Sequence, residues 1–389
     1  MKLWINDRKT AAYSDDSRRL ISVEDAESAL AFLDACPAHG ATPLHGLDDV
    51  ARELDLAAVL VKDESRRMGL GSFKALGGAY AVFVLARDRA EAALGRRPSP
   101  EEMTSDEVKA CLSGLVVACA TAGNHGLSVT AGARQLGCRV VVYIAHGVPV
   151  EFETRLTAMG AEVVRAGDDY EESFDAVRRQ CDEHGWSLVA DTSWDEYTEV
   201  PLTIMRGYLA MAAEAADQCE QHGGPPTHIF LQAAVGGLAG SLGGYFLDRY
   251  RDAPPKVVVV EPEGAPCLLE SARAGRMVTI TGGPTVLGRL DCKAPSLVGF
   301  QLLSANAFAF TTITDEEAFD AMRVADGCGL EIGESGAAGL GALLSAAADT
   351  DQRRALGLDE NSRVLLVASE GPADLAIFER VTGHPPALG

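Results

Sequence analysis

"GLVVACATAGNHGLSVTAGARQLGCRVVVYIA", residues 114–145, decides the fold. "GLVVACAT" (114–121) is a short β-branched, apolar run, as expected of a strand buried on both faces. "HGLSVTAGARQLG" has helical spacing and ends on Gly137, a helix stop signal. "CRVVVYIA" reads as strand again. Strand, helix and strand in so short a span predict a parallel pair joined by a crossover helix.

The pattern continues outward. "PVEFETRLTAMG" predicts a helix, "AEVVRAG" a strand, "DYEESFDAVRRQCDEHG" a helix and "WSLVAD" a strand. Further on, "THIFLQAAV" and "KVVVVEPEG" are strands around the helix "GGLAGSLGGYFLDRYR". "GESGAAGLGALLSAAA" is a helix before the strand "SRVLLVASEG". The fold class is α/β, with two blocks, each a mainly parallel twisted sheet flanked by helices. The expected division is a small domain over 68–195 and a large one from 1–67 and 196–389. "RDRAEAALGRRPSPEEMTSDEVKACL" (87–112) reads as an exposed connection with helical pieces, centred on Pro98-Ser99-Pro100.

Composition narrows the function. The 389 residues are 47% hydrophobic and 23% charged, ordinary for a soluble globular chain. The net charge of -22 argues against a nucleic-acid partner, which requires a basic face. No apolar run is long enough to span a membrane, and the N-terminus has no apolar core of a secretory signal. The expected location is the cytoplasm. Nine cysteines form no C-x-x-C pair, and the histidines show no paired-ligand spacing, so no metal is expected. Scattered cysteines in such a chain are read as buried thiols.

Three stretches carry chemistry. In "QAAVGGLAG" (232–240) an apolar strand ends at Val235 and a glycine-rich turn opens a helix. Unpaired amides at such a turn, with the helix dipole, hold a phosphate without a cation. A tight βα turn without a ligand has the same sequence. "ATAGNHGLSV" (120–129) is a second strand-to-helix turn. Thr121 and the amides after it suit a carboxylate, and Asn124 can donate to a phenolate oxygen. His125 is a candidate base, although a capped, satisfied turn explains it equally. In "GSFKALGGAYAV" (71–82), Lys74 is walled in by small and apolar residues. Desolvation lowers an amine's pKa, and a neutral amine forms a Schiff base with an aldehyde. A helix-start lysine reaching out to solvent is the plain alternative. Together the three are the parts that hold pyridoxal 5'-phosphate: Lys74 for its aldehyde, the 236–240 turn for its phosphate and Asn124 for its ring oxygen.

With these parts the sequence resembles the fold-type II pyridoxal-phosphate enzymes, the tryptophan synthase β and threonine dehydratase group. Within that group it is most similar to the diaminopropionate ammonia-lyases. The similarity is carried by "GSFKALGGAYA", "TAGNHG", "GAEVV", "DTSWDEYTEVP", "THIFLQAAVGGLAG", "VVVVEP", "GESGAAGLG" and "ASEG". The resemblance implies that Lys74 bonds the cofactor and moves the α-proton. It implies that Gly236, Gly237, Leu238, Ala239 and Gly240 cup the phosphate, that Asn124 contacts the ring hydroxyl, and that Ser369 sits by the pyridine nitrogen. Glu334 of "GESGAAGLG" would also lie at the cofactor. Thr121, Ala122, Gly123 and His125 would surround the substrate carboxylate, and Asp191 of "DTSW" would lie near the substrate's side-chain amine. Cys267 and Cys292 match two cysteines that can pair by the site entrance, a bond that a reducing cytosol opposes.

The implied reaction is β-elimination from L-2,3-diaminopropionate, or a similar β-substituted L-alanine, to pyruvate and ammonia. A hydroxyl rather than a carboxylate beside the pyridine nitrogen favours elimination over transamination. The alternative is a threonine/serine or 3-hydroxyaspartate dehydratase. Lyases that accept both enantiomers carry an acidic residue at the position of Ala122; alanine cannot take a proton, so L-selectivity is expected. "GRLDCKAPS" (288–296) follows the lyase pattern only loosely. The chain stops at "TGHPPALG" without a regulatory α/β unit, so feedback control of the threonine-deaminase kind is not expected. The partner is a small amino acid, and the resemblance implies a homodimer.

Overall fold

The computed structural model describes residues 2–121 and 123–387. Eleven strands form among them: β1 Leu3–Ile5, β2 Leu44–Gly46, β3 Ala58–Asp63, β4 Val116–Ala120, β5 Arg139–Ile144, β6 Glu162–Arg165, β7 Ser187–Leu188, β8 His228–Gln232, β9 Lys256–Pro262, β10 Ala309–Ile313 and β11 Arg363–Ala368. Two sheets result, one of seven strands in the order β1-β10-β9-β8-β11-β3-β2 and one of four in the order β6-β5-β4-β7. The smaller sheet is parallel throughout. In the larger, β10, β9, β8, β11 and β3 run parallel, and the short strands β1 and β2 close the two edges antiparallel. Short edge strands limit the unpaired backbone that an open sheet offers to other chains.

The parallel strands are apolar runs because helices cover both faces. All five residues of β8 and of β10 are buried. The helices are those that periodicity and stop signals predict: Asn124–Leu136, Tyr170–His184 and Gly237–Arg249. Gly137 and Gly185 end the first two in the left-handed conformation. The stretch 87–112, read as an exposed connection, resolves into the end of the helix Lys74–Leu94, a 3-10 turn over Glu101–Thr104 and a helix Asp106–Cys111. It is anchored rather than fully exposed, since Ala90, Met103, Val108 and Leu112 are buried in the core.

The helix Lys74–Leu94 links the two sheets. Gly77 on it faces Gly207 of the helix Glu199–Gly207. A Cβ on Gly77 would stand 2.8 Å from Ile204 O, and one on Gly207 would stand 2.9 Å from Gly77 Cα. Only hydrogen at both positions lets the backbones approach so closely. On its other side, Ser128 Oγ accepts from Ala79 N at 2.9 Å and donates to Ala75 O at 3.0 Å. These contacts fix the start of the helix, and Lys74 with it, relative to the turn before Asn124–Leu136.

Candidate active site

The chemistry-bearing residues lie just past the carboxyl ends of parallel strands, where side chains and helix N-termini converge. Residues 121–126 follow β4, Asp191 follows β7, the turn at 236 follows β8, and Ser369 and Glu370 follow β11. Lys74 opens the helix Lys74–Leu94 and is registered against β11: Phe73 N donates to Ser369 O at 3.0 Å, and Ser72 bridges Glu370. Tyr208 stacks its ring edge-on to Phe73, with centroids 4.8 Å apart, and lies 3.9 Å from where a Cβ on Gly237 would be. Lysine and glycine turn are therefore walls of one site.

Lys74 Nζ forms an ion pair with Asp191 Oδ2 at 2.7 Å, the side chains being 31% and 19% exposed. This corrects the expectation of a depressed lysine. Burial does push the amine down, but the Asp191 charge and hydrogen bond outweigh it, and the net shift is upward. Burial opposes the Asp191 charge too, yet the charge and hydrogen bond of Lys74 hold that carboxyl well below the usual range. In this geometry the pair is ionised.

The 121–126 turn is built by Thr121, whose Oγ1 accepts from Gly123 N at 3.0 Å and from Gly126 N at 3.3 Å. The hydroxyl is thus engaged with its own turn. His125 is buried and donates Nε2–H to Val189 O at 2.8 Å. Burial lowers its pKa, so the ring is neutral, and Nδ1 has no hydrogen-bond partner among the described residues. Asn124 Nδ2 donates to Glu370 Oε2 at 2.8 Å and keeps a second N–H. Ala122 lies outside the described residues.

At the second turn Gly236 has φ +106°, a conformation that glycine alone adopts at low cost. The first helical hydrogen bond is Gly240 N to Gly236 O at 2.8 Å. The amides of Gly237, Leu238 and Ala239 stand in the first turn, where no intrahelical acceptor exists. Ser369 is buried, and its Oγ accepts from Gln232 Nε2 at 2.8 Å, which leaves its own O–H to donate. Glu334 and Glu370 are buried, each with one carboxylate oxygen lacking a partner among the described residues. Burial raises the Glu334 pKa and pushes Glu370 up to about 7.

Sequence reasoning missed several supports. Gln232 also donates to Val367 O at 2.8 Å, so it locks β8 to β11 behind Ser369. A polar residue closing an apolar strand was the available signal. Ser193 and Ser296 share a 2.6 Å hydroxyl contact, Leu297 N donates to Ser193 O, and Ser296 N to Val235 O. That chain ties the Asp191 loop to the glycine turn. Glu370, directly after Ser369, holds Asn124. Cys267 and Cys292 are both free thiols, so the pairing in the resemblance is not formed. Among the described residues no group of metal-ligating side chains occurs, and no helix is long and apolar enough to cross a membrane.

The donor set fits pyridoxal phosphate. Unpaired helix-start amides suit its dianionic phosphate, a buried hydroxyl with a spare proton suits the pyridine nitrogen, and the spare Asn124 N–H suits the ring oxygen. Lys74 supplies the amine for its aldehyde.

Comparison with known proteins agrees. A family model described as "Pyridoxal-phosphate dependent enzyme" matches residues 35–370. The diaminopropionate ammonia-lyase of Escherichia coli (strain K12) is 33% identical over 392 residues, covering 98% of this chain and 96% of its own. Two crystal structures of the Escherichia coli enzyme, one in complex with D-serine and one with an aminoacrylate-PLP azomethine reaction intermediate, match with a TM-score of 0.87. Each is 32% identical and covers 98% of this chain and 96% of its own. The chain belongs to the pyridoxal-phosphate dependent enzyme family, on the fold-type II architecture, and its cofactor is pyridoxal phosphate.

Proposed function

We propose that this chain is an ammonia-lyase that converts L-2,3-diaminopropionate to pyruvate and two molecules of ammonia by β-elimination and hydrolysis. The observation that carries the reading is the 2.7 Å pair of Lys74 and Asp191. A carboxylate held ionised beside the reactive amine suits a substrate whose leaving group is a second ammonium; it does little for a neutral hydroxyl. The relatives named diaminopropionate ammonia-lyase support the same choice.

The bound cofactor acts as an electron sink for the charge left at the substrate Cα. The protein's residues do the rest. The 237–239 amides and the spare N–H of Asn124 orient the ligand. Ser369, steadied by Gln232, presents its hydroxyl to the ring nitrogen. An incoming β-ammonium competes with Lys74 for Asp191, and an amine that loses its carboxylate partner loses what raised its pKa. Lys74 then takes the α-proton as a neutral base. Asp191 holds the departing nitrogen as an ammonium, the form that leaves readily. Ala122, unable to take a proton, supports L-selectivity.

The proposal includes the division into a 68–195 unit, which contains β4–β7, and a unit from 1–67 and 196–389. A cytoplasmic location is supported by nine free cysteines, and a homodimer by the resemblance. Light scattering tests the latter.

A pyruvate-coupled panel of L- and D-diaminopropionate, L-serine, L-threonine and 3-hydroxyaspartate tests the reaction. The L-diamine is expected to lead. Asp191→Asn should cut its kcat/KM by about 100-fold and that of serine by about 10-fold or less, since only the diamine loses a charge-assisted contact. Equal losses for both substrates would remove the basis of the assignment.

A further inference from the structure

We infer that Glu370 is a positioning residue for the cofactor: it aims Asn124 at the ring oxygen, and it takes up a proton as the cofactor binds. The inference rests on the cofactor alone and holds whichever amino acid is the substrate.

Glu370 is anchored on two sides. Ser72, just before Lys74, pairs with it across a bridge, and Gly333 N donates to its carbonyl at 3.3 Å. A Cβ on Gly336 would stand 2.7 Å from that carbonyl oxygen, so the 333–336 loop packs directly against it. The side chain is 5% exposed. Its Oε2 accepts from Asn124 Nδ2 at 2.8 Å, while Oε1 has no hydrogen-bond partner among the described residues. An amide is planar, so fixing one N–H of Asn124 sets the direction of the other, the one that suits the ring oxygen.

The same arrangement gathers negative charge. Glu334, on the 333–336 loop, is buried, and its Oε2 also lacks a partner among the described residues. The cations that face Glu370 do not cancel this. Arg289 Nε lies 3.7 Å from Oε2, beyond hydrogen-bond length, and Lys74 is paired with Asp191 at 2.7 Å. Burial pushes the Glu370 carboxyl up to about 7; Arg289, Lys74 and Asn124 pull it down and Glu334 raises it. With the cofactor bound, Asn124 donates to an anion on each side, the carboxylate and the ring oxygen. Like charges that share one donor in a buried site do not both stay ionised, and one of them takes a proton. Glu370 takes it from solvent, on the oxygen that has no other partner, and no bond but O–H forms.

The test reads cofactor binding without turnover. Pyridoxal phosphate is titrated into the full chain freed of its cofactor, and into its Glu370→Gln and Glu370→Leu variants, from about pH 6.5 to 8.5. Binding is read from the visible absorbance of the cofactor. Gln keeps an acceptor for Asn124 and cannot titrate; Leu offers no acceptor. At the acid end, the Gln variant should bind within about 3-fold of the unmodified protein, and the Leu variant about 10-fold more weakly, the scale of one lost hydrogen bond. Toward the alkaline end, the unmodified protein should lose about 10-fold in affinity relative to the Gln variant, because it alone must draw a proton from a more alkaline solvent. Titration of Lys74 and of the phosphate cancels in that ratio. Calorimetry in buffers of different ionisation heat counts the proton itself, and serves if the Leu variant does not fold. At about pH 8 the unmodified protein should take up about 0.5–1 proton more than the Gln variant. An affinity ratio that is flat with pH, or equal proton counts, overturns the proton uptake. A Leu variant that binds as tightly as the Gln variant overturns the positioning. No amino acid enters these measurements, so a failure here is distinct from a failure of the proposed lyase reaction.

Discussion

Glu370 shows how a single buried group sets the pH behaviour of the site. Burial pushes its carboxyl from 4.5 to about 7, assisted by Glu334 and opposed by Arg289, Lys74 and Asn124. The folded chain therefore keeps a proton that the unfolded chain releases between pH 4.5 and 7. Stability falls as pH rises through that window, by at most about 3 kcal/mol at 1.36 kcal/mol per unit. Glu370→Gln keeps an oxygen for Asn124 and removes the titration. Urea midpoints of the cofactor-free protein across the window should flatten in the variant. An unchanged slope would place the pH dependence elsewhere, and Glu261, pushed up to about 8 by burial, is then the group to replace.

At the scale of elements, the site depends on one helix crossing. Gly77 and Gly207 let the helices Lys74–Leu94 and Glu199–Gly207 meet backbone to backbone. Gly207→Ala places a methyl 2.9 Å from Gly77 Cα and 3.0 Å from Leu76 O. Both neighbours are backbone, which cannot rotate away. The variant should lose about 1–3 kcal/mol of stability, as overpacked cores do. It should also weaken cofactor binding, because the helix start carries Lys74. Denaturation and cofactor titration check the two effects. Full stability with full affinity would show that the crossing is looser than the geometry states.

Over the whole molecule, a buried ion network joins distant segments. Lys62 of β3 donates to Glu214 at 2.7 Å, and Arg67 pairs with Glu214 and Glu64 at 2.7 Å each. Thr42 O and Gly40 O accept from Lys62 and Arg67, so the segment before β2, strand β3, the loop toward Lys74 and the helix Leu209–Gln221 are held together. Two cations face two carboxylates, and the cluster is balanced. Glu214→Gln breaks the balance and strands positive charge in the interior, at about 3–5 kcal/mol. Chemical denaturation should show that loss, and a change below about 1 kcal/mol would mean that water reaches the cluster.

What the sequence determined by itself was local. Apolar β-branched runs, helical spacing and glycine stops act over neighbours in the chain, and they predicted β4, β5, β6, β8, β9 and β11 with the helices Asn124–Leu136, Val150–Ala158, Tyr170–His184, Gly237–Arg249 and Ala338–Ala348. The helices Glu199–Gly207, Leu209–Gln221, Cys267–Ala274, Leu297–Asn306, Asp315–Gly327 and Thr350–Leu356 went unread. The turn chemistry at 121–126 and 236–240, the lysine before a helix and the serine after β11 were legible for the same reason. Strands β1, β2, β3 and β10 went unread: two are three-residue edges, and "AVLVKD" and "AFTTI" are marked as strands only by the partners beside them. "WSLVAD" yields just Ser187–Leu188. Tertiary structure alone decided the charge of Lys74, because Asp191 stands 117 residues away in the chain and 2.7 Å away in space. The hydroxyl pair Ser193–Ser296, the brace of Arg289 and Glu370 and the free state of Cys267 and Cys292 are likewise matters of distance between remote segments. Electrostatic and hydrogen-bond energies fall off over a few ångströms, and only the fold sets which groups come that near.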